Sequence, residues 1–181
     1  MKKSARRSIV LGVTGSIAAY KACEIISSLT KSDVDVKVVL TKEGREFITP
    51  LTLQTLSRNK VFSDMFELPE RWNPVHTSLA EEADLILIAP ATANVIGKLA
   101  GGICDDLLTA TILASRAPVL IAPAMNDKMY GHKIVQENIK KLKAIGYKFI
   151  SPVKGRLACG YEGIGHLAQV SDIVKVVKKA L

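Results

Sequence analysis

The stretch Asp84-Leu85-Ile86-Leu87-Ile88-Ala89 (DLILIA) decides the fold. It is aliphatic at nearly every position, without the alternation of a strand that has one wet face. A run of this kind suits a central strand covered on both faces, as in a parallel sheet. The longest apolar run, Leu85 to Ala93, is broken by Pro90 and is too short to span a bilayer. Towards the N-terminus, Val34 to Leu40 (VDVKVVL) reads as a strand whose partial alternation predicts less complete burial. Gly15 to Thr30 carries Ile17, Ala18, Cys23, Ile25, Ile26 and Leu29 at helical spacing, and Ser8 to Val13 (SIVLGV) reads as a further strand. Towards the C-terminus, Val95 to Ala114 reads as helix interrupted at Gly101-Gly102, and Pro118 to Ala122 as a buried strand. Asp127 to Ala144 reads as helix and Tyr147 to Ile150 as a short strand. Ser171 to Leu181 reads as a closing helix capped by Ser171 or Asp172. Strands alternating with helices predict a doubly wound, parallel α/β sheet in a single domain, residues 1–181.

The bulk properties agree. Of 181 residues, 48% are hydrophobic and 23% charged, enough for one sizeable core. The net charge is +8; Lys2, Lys3, Arg6 and Arg7 read as a frayed basic tail, and Lys140, Lys141, Lys143, Lys175, Lys178 and Lys179 as solvated helix faces. No continuous basic stripe or recognition motif points to nucleic acid. No secretory signal is recognisable, and three widely spaced cysteines suit neither a disulfide framework nor a metal site. These features predict a cytoplasmic protein with no membrane partner. Cys23 reads as an inert residue on a helix face, and Cys104 as buried.

In such sheets ligands bind beyond the carboxyl ends of the strands. Those ends are Thr14-Gly15-Ser16, Thr41-Lys42, Pro90 to Asn94, and Pro123 to Asn126. In Gly12 to Lys21 (GVTGSIAAYK), Gly15 permits the tight turn, and the free amides of Ser16, Ile17 and Ala18 are expected to face a phosphate. An ordinary strand-to-helix turn would look the same. The spacing is not G-x-G-x-x-G, and the second strand ends at Leu40-Thr41 without an acidic residue for a ribose. Both facts favour a mononucleotide such as FMN over NAD. In Ala89 to Asn94 (APATAN), small residues admit a flat ring, while Thr92 and Asn94 are placed to bond its polar edge or to cap a helix.

In Pro123 to Met129 (PAMNDKM), Asn126 is either a helix cap or an amide donor for a substrate carboxylate. An amide holds a carboxylate more weakly than a cation does, which favours expelling that group. His76 has a side chain suited to proton transfer near neutrality, with His132 and His166 as competitors. Val61 to Val75 and Ser151 to Gln169 lack periodicity. The latter holds four glycines around Cys159 in GRLACGYEGIG, which reads as a lid carrying a reactive thiol.

Together these segments, spanning Ile9 to Ile173, resemble the homo-oligomeric flavin-containing cysteine decarboxylases, and within them the phosphopantothenoylcysteine decarboxylases. The pieces that carry the resemblance are GVTGSIAAYK, VVLTKEGREF with Thr41 and Phe47, His76, APATANVIGKLAGGICDDLL, PAMNDKM and GRLACGYEGIG. The resemblance implies a Rossmann-like, three-layer α/β/α fold and FMN bound between subunits of a homotrimer, alone or in a dodecamer built of trimers. Gly15, Ser16, Ile17, Thr41, Phe47, Pro90, Ala91, Thr92, Asn94, Ala124 and Met125 would bind FMN. No metal is implied. His76 would assist thiol oxidation at the flavin, Asn126 would hold the substrate carboxylate, and Cys159 would return a proton. By the same resemblance, the thiol of 4'-phosphopantothenoylcysteine is oxidised to a thioaldehyde, carbon dioxide leaves, and the enethiolate is reduced to 4'-phosphopantetheine. A separate phosphopantothenate–cysteine ligase is expected in the same coenzyme A pathway. His166 and Gln169 stand where the family more often has Arg and an acidic residue, and Tyr130 where it has Trp. Three rival readings remain: a peptidyl-cysteine decarboxylase, a flavin prenyltransferase, and a non-catalytic FMN-binding regulatory subunit. The Cys159 loop argues against the first, His76 and Asn126 against the second. The retention of His76 and Cys159 argues against the third.

Overall fold

The computed structural model describes residues 6–67, 72–156, 160 and 162–181. Six strands form one parallel sheet: β1 (Ser8–Val13), β2 (Asp35–Leu40), β3 (Val61–Phe62), β4 (Leu85–Ala91), β5 (Val119–Pro123) and β6 (Lys148–Phe149). Their order is β3-β2-β1-β4-β5-β6. Every residue of β4 is buried, whereas β2 has two half-buried positions, as its alternation predicted. Side chains alternate between two cores. Ile9, Leu11, Leu85 and Leu87 face one layer with Ile25, Leu53 and Ile173. That layer comprises α1 (Ala22–Thr30), α2 (Pro50–Ser57) and α8 (Val170–Ala180). Val10, Ile86 and Ile88 face the other, with Leu79, Ile96, Ile112 and Leu142. Those come from α3 (Val75–Glu82), α4 (Ala93–Gly101), α5 (Leu107–Ala114) and α7 (Lys133–Ala144). The chain is therefore the three-layer, Rossmann-like sheet expected. Its strand order reverses between β1 and β4, where a ligand cleft belongs.

Several expectations are corrected. A 3-10 turn, Ile17–Lys21, precedes α1 in place of continuous helix. The helix expected over 127–144 is two, α6 (Asp127–Gly131) and α7, because His132 is extended and its Nδ1 accepts from the Ile134 amide at 3.3 Å. His132 is thereby a cap, exposed and away from the cleft described below. Helix α8 starts after Gln169, and neither Ser171 nor Asp172 caps it. The aperiodic segment after Ser151 contains an antiparallel hairpin, β7 (Val153–Arg156) and β8 (Glu162–His166). Arg6 and Arg7 are not frayed: they reach the carboxylates of Asp33 and Asp84 at 3.2 and 3.3 Å. Cys104 is exposed because it lies in the connection between α4 and α5. Among the described residues, no helix is long and apolar enough to cross a membrane.

Candidate functional site

A cavity of about 810 Å³ opens at the switch point, walled by the segments that follow β1, β4 and β5. Its size is within the range of about 300–1,000 Å³ common to cofactor and small-molecule sites. Thr14 ties two of these segments together. Its buried hydroxyl donates to the Pro90 carbonyl at 2.7 Å and accepts from the Thr92 amide at 3.2 Å. Gly15 is required by close approach: a Cβ there would lie 2.5 Å from Cβ of Glu43 and 3.2 Å from its carbonyl. The amides beyond it are less free than the sequence suggested. That of Ser16 bonds the Thr14 carbonyl at 2.8 Å, and that of Ala18 bonds the Ser16 hydroxyl at 3.3 Å. Of the three, only the Ile17 amide has no acceptor among the described residues.

Thr92 caps α4 by accepting from the Val95 amide at 3.4 Å, and with Asn94 it faces the cavity. The cap expected of it is present. Thr41 also lines the cavity. Pro90, Ala91 and Phe47 do not. Ala91 is wholly buried, and the Pro90 carbonyl is taken by Thr14, so these two form the layer beneath the wall. Phe47 follows a 3-10 turn, Gly44–Glu46, and is 46% exposed outside the wall.

The third wall is Ala124, Met125 and Asn126. Asn126 Oδ1 accepts from the amides of Lys128 and Met129 at 2.9 and 3.4 Å, capping α6. That assignment turns the donor end of the carboxamide, Nδ2, to other contacts. Over this turn lies the hairpin. The Met125 amide donates to the Gly165 carbonyl at 3.0 Å, and a Cβ on Gly165 would stand 2.1 Å from the Met125 carbonyl oxygen. Only glycine permits that approach. Gly160, Gly165, His166 and Leu167 therefore roof the cavity. His166 Nδ1 lies 3.1 Å from the Leu167 carbonyl, which can only accept, so Nδ1 carries the hydrogen. Cys159, expected in this loop, lies outside the described residues.

His76 is the second residue of α3 and is not in the wall of this chain's cavity. Its Nδ1 is buried without a hydrogen-bond partner among the described residues. Such an atom costs about 1–3 kcal/mol and calls for an explanation.

At the mouth, Lys98 Nζ meets Asp105 and Asp106 at 2.7 and 2.8 Å. Burial pushes the Asp106 carboxyl up, but Lys98 and the amide and hydroxyl of Thr109 outweigh it and hold the group below its ordinary value. This cluster was missed, because a pair bridging a helix end has no characteristic spacing. Cys23 is half-buried on α1; burial raises its thiol, as suits an inert residue. Among the described residues, no group of His, Cys, Asp and Glu is placed to hold a metal ion.

Residues 1–181 match the family model described as Flavoprotein. The coenzyme A biosynthesis bifunctional protein CoaBC of Bacillus subtilis is 51% identical over 173 residues, covering 96% of this chain and 43% of that protein. A probable phosphopantothenoylcysteine decarboxylase of Streptococcus mutans is 44% identical over 177 residues, covering 97% of this chain and 99% of the other. The chain thus spans less than half of the bifunctional relative and nearly all of the shorter one. A solved PPC decarboxylase variant complexed with pantothenoylaminoethenethiol matches at TM-score 0.86 and 32% identity, over 96% of this chain and 97% of that one. The chain belongs to the flavoprotein family, and its Rossmann-like sheet is the fold of a PPC decarboxylase.

Proposed function

We propose that this chain is a cytoplasmic, FMN-dependent decarboxylase that converts 4'-phosphopantothenoylcysteine to 4'-phosphopantetheine in coenzyme A biosynthesis. The observation that carries the reading is the roofed cavity. Its floor suits a mononucleotide, and an amide-bearing turn lies directly under the hairpin of β7 and β8, between which Cys159 falls in the sequence. FMN fits the residues present. Gly15 and the Ile17 amide suit a phosphate, and Ser16, Thr41, Thr92 and Asn94 offer polar groups to the ribityl chain and ring edge. The strand β2 ends at Leu40-Thr41 without the acid that a dinucleotide's ribose uses. The name of the Streptococcus mutans relative and the ligand of the PPC decarboxylase structure support the substrate class.

When bound, FMN supplies a two-electron sink for the substrate thiol and returns the electrons after carbon dioxide has left. The protein orients and protonates. Asn126, its Oδ1 committed to the α6 cap, presents a carboxamide donor that orients the carboxylate without neutralising it. Met125 and Ala124 exclude water beneath it. Cys159 supplies the proton that completes the product. His76 accepts the thiol proton. Its place outside its own cavity, and its Nδ1 without a partner among the described residues, suit a homotrimer in which α3 of one protomer completes the cavity of the next. Such trimers can assemble further into a dodecamer. The substrate is the product of a phosphopantothenate–cysteine ligase.

The test is to purify the protein, record its flavin spectrum and assay carbon dioxide release from 4'-phosphopantothenoylcysteine. A yellow, active protein is expected. His76→Asn should keep the flavin and lose about 10²–10⁴-fold in turnover, the usual scale of a lost acid–base group. A colourless protein that cannot be reconstituted with FMN, or an inactive yellow one, would end this reading.

A further inference from the structure

We infer that Lys21 binds the phosphate of the substrate, a role distinct from holding the FMN phosphate. The inference rests on the decarboxylase reading, which gives the cavity two phosphate monoesters to accommodate. The first belongs at Gly15 to Ile17, at the start of the 3-10 turn. The second needs a cation of its own, since a dianion left without one is costly to desolvate. Among the described residues, two lysines line the cavity, Lys21 and Lys98. Lys98 is committed: Asp105 and Asp106 hold its ammonium at 2.7 and 2.8 Å. Among the described residues, Lys21 has no carboxylate within ion-pair distance. It is half-buried, on the last residue of the 3-10 turn Ile17–Lys21. Five residues at the 3-10 rise of about 2.0 Å place its backbone about 10 Å along the turn from Ser16, so its flexible stem can serve a second phosphate beyond the one at Gly15 to Ile17. The acidic residue Glu43 lines the same cavity, but it is exposed and lies beyond ion-pair distance of Lys21. His166, in the roof, has Nδ1 engaged with the Leu167 carbonyl. Lys21 is thus the cavity's uncommitted permanent cation among the described residues, and an ammonium is well suited to a phosphate oxygen.

The experiment compares two substrates on the flavin-loaded protein: 4'-phosphopantothenoylcysteine and the same compound without its phosphate. The quantity read is the ratio of their kcat/KM values, with flavin content from the visible spectrum. For Lys21→Gln the ratio should fall about 10- to 100-fold, mainly through KM for the phosphorylated compound, as expected for a charge-assisted contact. Lys21→Arg should restore most of the ratio. Lys42→Gln removes the same charge from the neighbouring smaller cavity and should leave the ratio unchanged, which separates a local contact from the general field of a chain with net charge +8. Three results would overturn the inference: an unchanged ratio in Lys21→Gln, an equal loss on both compounds, or a loss of flavin, which would give Lys21 to the FMN phosphate instead. If the wild-type protein releases carbon dioxide from neither compound, the decarboxylase reading itself fails and the inference falls with it.

Discussion

The floor of the cavity rests on β1, β4 and β5, which are almost wholly buried, whereas its roof is a hairpin whose β8 keeps only Gly165 buried. The floor is fastened by the Thr14 hydroxyl between two loops and by two hydrophobic cores beneath. The roof is fastened by the Met125–Gly165 backbone bond and the close contact that glycine alone permits there. The difference separates stability from turnover. Floor contacts bury apolar area and hold the fold, so weakening them should unfold the protein. Roof contacts bury little, so weakening them should misplace chemical groups while the fold survives.

The largest effect should come from the floor. Leu87 is fully buried at the centre of β4. Leu87→Ala should lose about 2–5 kcal/mol of unfolding free energy in a denaturant titration, the range for a leucine removed from a packed core. Turnover per bound flavin should hold. If turnover collapses while the unfolding midpoint stays put, floor and roof are not separable in this way.

The roof should behave in reverse. A Cβ at Gly165 cannot stand 2.1 Å from a backbone oxygen, so Gly165→Ala must lift the hairpin or push the Asn126 turn aside. A displacement of about 1 Å can cost about a hundredfold in rate. We therefore expect kcat/KM to fall about 100-fold, equivalent to about 2.7 kcal/mol in the barrier, with the unfolding midpoint and flavin content near wild type. A comparable loss of stability would make the hairpin part of the core.

The same division explains what was legible beforehand. Local signals carried the floor: the unbroken aliphatic run of β4, the turn after β1, and the hydroxyl at Thr92 before a helix. The hairpin was not legible as strands, because Lys154, Gly155, Glu162 and Gly163 offer no alternation of apolar and polar residues. Its anchor joins residues forty apart, Met125 and Gly165, and is a property of the tertiary structure alone. Helix α2 left a signal that went unread, a proline at its first position. Asn126 was read as cap or amide donor; the structure makes it a cap, and the cap itself aims the carboxamide. His76 shows a limit of another kind. Nothing in its neighbours along the chain signals that it stands outside the wall of this chain's cavity.

The smallest effect should come from the ion cluster at the mouth, where neither burial nor backbone contact dominates. Asp106→Asn removes the charge facing Lys98 yet keeps a side chain that caps α5 almost equally well. The change therefore isolates the charge, and the expected loss at neutral pH is about 0.5–1 kcal/mol, the upper range for partly exposed pairs. Because the folded protein holds the Asp106 carboxyl below its ordinary value of 3.8, this stabilisation is fully present above that value. It disappears as the pH falls through the lower value of the folded state, where the carboxyl takes up its proton. The difference in unfolding free energy between wild type and Asp106→Asn should thus be constant at neutral pH and shrink towards zero under acid conditions. A difference that persists unchanged in acid would mean that Asp106 acts through its cap hydrogen bonds, and that the mouth is built on the same terms as the floor.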